Sequence, residues 1–322
     1  MKIKQLFESK NKLSKDEINE VMDIIQDTKF YNINKQNMIN GKNLYHGTDK
    51  DVGIYALHDI TDREKPRDTE PTIHNIVNEL SEKEFGSKIR SKLFVSSTPA
   101  RANIYGEFEY VIIPLYDYTI YYSDQIDDFY NDKDNVLDFK ELYKDIYYKI
   151  TKYIKKSTSK TKYKLNQYLT HNVNDIISNL SNDSSFRKFY IPFHSNHYSR
   201  AIKGEQSSYN TIKQSISKGM YNHLFKPNIS DSKNDTILYS YVEDLIIEIM
   251  DDEQNNIIEF IKSYFYTNIK ENYIDTIKST QNVNDIYLYS ECMLDTKETL
   301  FINRFAFDDV VDEIKRREGY ES

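Results

Sequence analysis

The stretch that decides the fold runs from residue 44 to residue 115 of the 322-residue chain. It opens with Leu44-Tyr45-His46-Gly47-Thr48, continues at Leu93-Phe94-Val95-Ser96-Ser97-Thr98-Pro99-Ala100 and ends with Tyr110-Val111-Ile112-Ile113-Pro114-Leu115. Each apolar segment is typical of a strand. Glycine after His46 would let a ligand come close to the backbone. The stretch therefore predicts a strand–turn–helix–strand unit that carries polar groups at one end.

Local signals predict the turn in the middle of this unit. Thr98 is the predicted N-cap of a short helix that starts at Pro99 and runs through Tyr105. The strand 110–115 follows directly. This arrangement brings the hydroxyl groups of residues 96–98 and the Tyr105 ring toward the same edge.

Helical spacing of apolar residues recurs on both sides of this unit. It predicts helices over 14–28 and 73–85, and a mainly helical region over 124–280. Near the C-terminus, residues 286–302 read as two strands joined by a turn at 295–297. A short helix over 308–317 ends the chain.

Composition excludes several classes of protein. The formal net charge of −8 argues against nucleic-acid binding through a global positive field. Cys292 is the only cysteine, which excludes a disulfide framework and a thiolate zinc site and favours a reducing compartment. No apolar run reaches the roughly 18 residues of a membrane span. Residues 1–8 lack the apolar segment of a secretion signal.

Two residues are candidates for chemistry. His46 ends a predicted strand beside glycine, and Glu291 directly precedes an apolar strand. The alternatives are a structural histidine and an exposed carboxylate at a sheet edge. His194 and His197 have the spacing of metal ligands, but no acidic or thiol partner is near them in the sequence. The sequence contains no phosphate-binding loop, dinucleotide fingerprint or hydrolase elbow.

The order Tyr-His-Gly-Thr, Phe-Val-Ser-Ser-Thr and Ser-Glu resembles the ADP-ribosyltransferase superfamily. Residues 289–295 are similar to the glutamate strand of its poly-ADP-ribose polymerase and diphtheria-toxin branch, whereas residues 96–98 resemble a permuted Ser-Thr-Ser of the arginine-dependent toxins. A further resemblance is to a group of tailed-phage proteins, many with Tyr-Arg-Gly-Thr at the first motif. It is carried by Arg67-Asp68-Thr69, His74, Asn78, Phe85-Gly86, Arg90-Ser91, Leu93-Phe94-Val95 and Tyr105-Gly106.

The resemblance implies an α+β fold with a split β-sheet core and a large, mainly helical insertion. The corresponding segments are 1–43 (N-terminal helices), 44–123 (first part of the core), 124–284 (insertion) and 285–322 (final core strands and helix). It also implies NAD as the substrate, with no metal required.

Roles for individual residues follow from the resemblance. Glu291 would hold the 2′-hydroxyl of the nicotinamide ribose and stabilise the ribosyl cation, and His46 would hydrogen-bond the adenosine-side ribose. The remaining NAD-binding positions would contact the carboxamide, the nicotinamide ring and the pyrophosphate. They are Gly47 and Thr48, the stacking pair Phe94 and Tyr105, the hydroxyls of Ser96 and Ser97, and Arg67, which we favour over Arg63 and Arg90 for the pyrophosphate.

The expected activity is that of a phage-type ADP-ribosyltransferase, which moves ADP-ribose from NAD to a host macromolecule and releases nicotinamide. A host protein is the expected acceptor, with nucleic acid as an alternative. Tyr289 stands two residues before Glu291, where a second acid would favour an arginine acceptor. The expected location is the host cytoplasm or the virion, with no membrane. The alternative is a non-catalytic virion or host-interaction protein that keeps the fold as a scaffold.

Overall fold

The computed structural model describes residues 12–64, 70–156, 195–224, 244, 246–286, 289 and 291–320. The chain forms two compact units. One comprises residues 1–68, 77–133 and 270–322 and contains the sheets; the other comprises 69–76 and 134–269. Arg67 and His194 lie outside the described residues. The protein is an α+β structure, as predicted.

The first sheet contains four antiparallel strands. They are β1 (Tyr45–Thr48), β2 (Tyr55–Asp59), β4 (Phe108–Pro114) and β8 (Glu298–Asn303). Their order is β1-β4-β8-β2. In this register His46 lies opposite Tyr110, and Tyr110 lies opposite Asn303. The C-terminal strand thus enters the middle of a sheet that begins with the His-Gly-Thr motif.

The second sheet is also antiparallel. Its strands are β3 (Leu93–Val95), β5 (Thr119–Ser123), β6 (Ile277–Thr280) and β7 (Cys292–Asp295), in the order β3-β7-β5-β6. Val95 lies opposite Cys292, so Glu291 directly precedes a central strand rather than an edge strand. The strand β6 falls within the range that the helical spacing had assigned to the insertion.

A backbone bridge between Tyr45 and Ser96 connects the two sheets. Tyr45 and Ser96 exchange both ladder hydrogen bonds, each with an N···O distance of 2.8 Å. Because β3 also pairs with β7, the segments around residues 44–48, 93–115 and 291–302 lie side by side. The three motif segments are thus adjacent, in two sheets that this bridge joins.

The described helices have the following bounds: α1 Lys15–Ile25, α2 Lys29–Ile39, α3 Pro71–Phe85, α4 Pro99–Ala102, α5 Phe129–Leu137, α6 Phe139–Lys156, α7 Ser195–Ile202, α8 Gln206–Leu224, α9 Gln254–Asn272 and α10 Phe307–Arg317. A capping box between Ser14 and Glu17 starts α1, as the spacing predicts. Gly86, at a φ of 70°, follows α3.

Helices α1, α2 and α10 contribute to the core of the unit that contains the sheets. Their buried residues include Met22, Met38 and Val310, which join the buried strand residues in one apolar cluster. Burial of these faces removes apolar surface from water and holds the helices on the sheet. The sheet face that carries Tyr45 and Val111 contributes to the same cluster.

The other unit is helical over its described residues, in agreement with the apolar spacing. Its aromatic core contains the stacked rings of Phe139 and Tyr198, with centroids 5.7 Å apart, and Phe265 edge-on to Phe139 at 6.0 Å. The buried Tyr209 hydroxyl donates to the carbonyl of Met250. Over the described ranges, the chain has no helix with the length and apolar character needed to cross a membrane.

The two strands predicted within 286–302, with a turn at 295–297, are present as β7 and β8, although β7 belongs to the second sheet and β8 to the first. One local prediction differs from the structure. Thr98 precedes α4 with extended backbone, yet its side chain makes no capping hydrogen bond. The N–H of Thr98 itself donates to the Ser96 hydroxyl at 3.1 Å.

Candidate functional site

His46 lies on β1 where this strand faces β3. Its Nδ1 is 2.7 Å from the backbone oxygen of Phe94. A carbonyl oxygen can only accept, so Nδ1 carries the proton, and in the neutral ring Nε2 is the acceptor. The ring also stands edge-on to Phe301, with centroids 5.6 Å apart. The half-buried imidazole is therefore fixed in both orientation and tautomer.

Gly47 is required by the close approach of the chain that follows β3. A Cβ at Gly47 would lie 1.8 Å from the carbonyl oxygen of Ala102, far inside van der Waals contact. The same crossing makes Gly106 necessary, because a Cβ there would lie 2.1 Å from the backbone carbon of Thr48. The one-turn helix Asn103–Tyr105 thus passes directly over β1. The His-Gly-Thr and Tyr-Gly motifs are in contact through their backbones.

The hydroxyl groups after β3 shape the turn and connect it to the glutamate segment. Ser96 Oγ donates to the carbonyl of Thr98 at 2.9 Å. Ser97 Oγ donates to the carbonyl of Tyr289 at 2.7 Å. Both serines are buried. Thr48 Oγ1 accepts from the N–H of Lys50 at 3.2 Å, where the chain turns after β1.

The ring of Phe94 is in contact with two guanidinium groups. The Cζ atoms of Arg63 and Arg90 lie 4.4 Å and 4.6 Å from its centroid. These are cation–π distances, and such contacts strengthen when water is excluded. Tyr105, the second aromatic residue expected to stack on nicotinamide, ends the helical turn that crosses β1 and is half-buried.

Glu291 is buried, with only 6 % of its side chain exposed. Its Oε1 forms an ion pair with Arg90, and its Oε2 accepts from the N–H of Phe129 at 3.0 Å. These contacts exclude the alternative of an exposed carboxylate at a sheet edge. Glu291 directly precedes β7, whose residue Cys292 lies opposite Val95, and Ser96, the residue after Val95, bridges to Tyr45.

The pairing of Arg90 with Glu291 could not be read from the sequence. Arg90 belongs to a one-turn helix that precedes β3, about 200 positions from its partner in the chain. Phe129 lies outside the motif pattern, whereas Arg63 and Arg90 enter it as residues that could meet the pyrophosphate, not as neighbours of Phe94 or Glu291. Arg67 lies among residues that the structure does not describe, so its expected contact with the pyrophosphate stays a prediction.

No group of three or more histidine, cysteine or acidic side chains that could hold a metal occurs in the described ranges. Cys292 follows Glu291 directly and is buried. Burial raises the pKa of its thiol, so the thiol stays protonated and unreactive at neutral pH. The polar groups near the three motif strands include the carboxylate, the imidazole, two serine hydroxyls and two guanidinium groups.

Comparisons with known proteins give no relative: no family model, curated protein or solved structure matches the chain.

Proposed function

We propose that the protein transfers ADP-ribose from NAD to a macromolecule of the host cell. In this reaction the bond between the ribose C1′ and the nicotinamide nitrogen breaks, and its electron pair leaves with neutral nicotinamide. An acceptor nucleophile then forms a bond to C1′ and gives up a proton. The transition state carries positive charge at C1′, so a fixed carboxylate beside the ribose would accelerate the reaction.

The observation that carries the proposal is the adjacency of β1, β3 and the residue that precedes β7. A site that holds NAD by its nicotinamide and both riboses needs polar groups from all three segments. The Tyr45–Ser96 bridge and the β3–β7 pairing bring His46, Phe94 and Glu291 into one region of the unit. These residues come from positions up to 245 residues apart in the sequence.

The direction of the β1 backbone supports a role for Gly47 in carboxamide binding. The N–H and C=O of Tyr45 both point toward β3, where they meet Ser96. Backbone groups two residues apart on a strand point to the same side, so those of Gly47 also point away from β4. There the chain after Ser97 turns into α4. An amide ligand placed along this side could exchange two hydrogen bonds with Gly47.

The fixed tautomer of His46 is compatible with its expected role. With Nδ1 bonded to Phe94, the neutral ring presents Nε2 as an acceptor, which suits a ribose hydroxyl donor. Glu291 would in turn accept from the 2′-hydroxyl of the other ribose. Both interactions use side chains that the protein already orients, which reduces the entropy lost on binding.

One observation favours the alternative of a non-catalytic scaffold. Both oxygens of Glu291 have protein partners, and the Phe94 ring that would stack on nicotinamide is in contact with Arg63 and Arg90. A nicotinamide ring stacked on Phe94 would share this ring with the guanidinium groups. The enzymatic hypothesis has to accommodate a ligand beside these contacts, whereas the scaffold hypothesis does not.

Incubation with NAD tests the proposal. NAD labelled in the adenine ring is mixed with the protein and a bacterial lysate, and labelled macromolecules are separated from free nucleotide while nicotinamide is quantified. We expect label in the macromolecular fraction with an equal amount of nicotinamide, and neither product with Glu291→Gln. Nicotinamide release equal to that of the lysate alone, together with no NAD binding at millimolar concentration, would favour the scaffold.

A further inference from the structure

The backbone of Arg90 is fixed by hydrogen bonds between its turn and the side chain of Asn78. It lies in the turn Ile89–Ser91, and its N–H donates to Oδ1 of Asn78 at 2.9 Å. Nδ2 of the same Asn78 donates to the hydroxyl of Ser91 at 2.9 Å. One buried amide therefore fixes two consecutive residues of the turn. These two hydrogen bonds set the direction in which the Arg90 side chain leaves the backbone.

The guanidinium of Arg90 has aromatic neighbours. The rings of Phe94 and Phe129 lie 4.6 Å and 5.2 Å from its Cζ, and only 3 % of the side chain is exposed. The Tyr273 hydroxyl is a further polar neighbour of Arg90, and burial raises its pKa, so it remains protonated beside the guanidinium. Planar contacts of this kind restrict an arginine to few orientations.

The carboxylate of Glu291 is held by contacts of two kinds. Arg90 pairs with one oxygen, and the N–H of Phe129 donates to the other. Phe129 is the first residue of the nine-residue helix α5, whose N-terminal end favours a negative charge. The carboxylate therefore has a fixed position and a fixed orientation before any ligand binds.

We propose that Arg90 is a positioning residue for Glu291 in the transfer reaction, an inference that rests on the proposed function. A buried ion pair is weak as a stabilising device, since its desolvation offsets most of its attraction and apolar residues would do as well. Its value here is preorganisation: a carboxylate already oriented needs little rearrangement when positive charge develops at the ribose. Arg90 thus acts through Glu291, without itself contacting the reacting atoms.

Four variants separate positioning from simple structural support: Arg90→Lys, Arg90→Gln, Glu291→Gln and the double variant with glutamine at both positions. Thermal unfolding reports on the ion pair, and the kcat and KM for nicotinamide release report on positioning. We expect Arg90→Lys to fold and to lose kcat by about 10-fold to 100-fold with little change in KM, because lysine keeps the charge but not the planar contacts. We expect Arg90→Gln to lose more kcat and to unfold at a lower temperature.

The double variant is the decisive control for structure. Removal of both charges leaves no unpaired buried charge, so its unfolding temperature should exceed that of either single glutamine variant, while its kcat stays as low as that of Glu291→Gln. Arg304→Gln is the matched control. It breaks another arginine–glutamate pair of this unit, with Glu109 at 2.6 Å, and should leave kcat unchanged.

The possible failures are distinguishable. Wild-type protein that releases no nicotinamide overturns the proposed function and this inference with it. Wild-type turnover combined with an unchanged or higher kcat in folded Arg90→Lys overturns this inference alone. Recovery of kcat in the double variant would also overturn this inference, and it would remove Glu291 from the mechanism as well, since turnover would then need neither charge.

Discussion

Nδ1 of His46 and the backbone oxygen of Phe94 are 2.7 Å apart, so a side chain of the first motif is bonded to the main chain of the second. The Tyr45–Ser96 bridge alone would align β1 with the chain after β3 but would leave the imidazole free to rotate. The bond fixes the ring and determines which nitrogen accepts. The hydrogen bond therefore gives Nε2 a defined position and a defined role as an acceptor toward a ligand.

Replacement of His46 by asparagine tests this division of roles. The Asn amide nitrogen can replace Nδ1 as the donor to Phe94, but no atom replaces Nε2. We expect a nearly unchanged unfolding temperature and an NAD dissociation constant raised by roughly 2-fold to 10-fold, the effect of one lost neutral hydrogen bond of about 0.5–1.5 kcal/mol. Calorimetric titration measures the NAD dissociation constant of each form. With a chelator present, the titration should still detect NAD binding by the wild type.

His58→Asn is the control for this substitution. His58 also contacts the ring of Phe301, with centroids 4.5 Å apart, so both variants lose an aromatic neighbour of the same residue. Only His46 is bonded to Phe94 and assigned to the site. Equal loss of NAD affinity in the two variants would contradict the role of Nε2.

Ser97→Ala should weaken the connection between the turn after β3 and the glutamate segment. The lost bond to the carbonyl of Tyr289 is expected to lower the free energy of unfolding by about 1 kcal/mol, and by up to about 3 kcal/mol if that carbonyl finds no other donor. Urea unfolding measures the change. Thr98→Ala is the neighbouring control and should change stability by less than about 0.5 kcal/mol, because the Thr98 hydroxyl makes no capping bond.

Gly47→Ala should be strongly destabilising whatever the protein binds. The added carbon would lie 1.8 Å from the Ala102 oxygen, so the crossing segment must shift. We expect a loss of at least about 2 kcal/mol in the free energy of unfolding. Gly41→Ala separates backbone strain from this overlap: its φ is 74° with open space around it, so a loss of only about 1 kcal/mol is expected. Similar losses at both positions would argue against the close crossing.

The carboxylate of Glu313, in the C-terminal helix α10, should make the stability of the protein depend on pH. Hydrogen bonds from Arg316, and then from Arg317, lower the pKa of Glu313 from 4.5 to about 2. A carboxylate with a lowered folded pKa stabilises the protein above its unfolded pKa and loses that contribution as pH falls. Unfolding is measured between about pH 5 and about pH 2, the range that spans the unfolded and folded pKa values of this carboxyl. The loss of stability on acidification should be smaller in Glu313→Gln than in the wild type.

Asp312→Asn provides the comparison for that experiment. Asp312 belongs to the same helix, but its side chain is 78 % exposed and lies 3.5 Å from Lys315. An exposed pair of this kind contributes little. The stability of Asp312→Asn should therefore follow that of the wild type throughout the acid range, and an equal effect of the two variants would show that general charge, rather than the Glu313 contacts, is responsible.

Much of the fold follows from local signals in the sequence. The capping box at Ser14, the stop at Gly86 and the apolar periodicity of α9 and α10 each determine one element through neighbouring residues. The strands with which β7 and β8 pair are not determined by neighbouring residues in this way. A turn of a few residues joins these strands, which favours a hairpin, but the apolar surfaces that each strand buries belong to different sheets. Tertiary packing overrides the local preference there.

The candidate site was predictable as a set of segments but not as a set of contacts. The motif order identified His46, Phe94, Ser97 and Glu291, and strand pairing brings their segments together. The burial of Glu291 depends on Arg90 and on the N–H of Phe129, neither of which has a sequence pattern that points to the glutamate. Pairs formed across long sequence separations leave no periodicity, so they emerge only from the assembled fold.

Glu291→Gln distinguishes a catalytic carboxylate from a structural one. Glutamine keeps the size of the side chain but removes the charge that would face the ribosyl cation. If the enzymatic hypothesis is correct, turnover should fall by about 10²–10³-fold, or roughly 3–4 kcal/mol, while NAD affinity changes far less because the ground-state ribose carries no charge at C1′. Unfolding should also become easier, since the guanidinium of Arg90 loses its counter-charge in a buried site.

Stability alone cannot decide between the two roles, so kcat must be measured at a temperature where the variant is fully folded. Glu298→Gln is the matched substitution, because Glu298 begins β8 as Glu291 introduces β7, and it has no assigned role in the site. A scaffold protein would show the loss of stability in Glu291→Gln and no NAD turnover in either form. A transferase would show wild-type turnover in Glu298→Gln and a loss in Glu291→Gln that persists under folded conditions. Full turnover in folded Glu291→Gln would remove this residue from the mechanism, because a neutral amide cannot provide the charge that the cationic transition state requires.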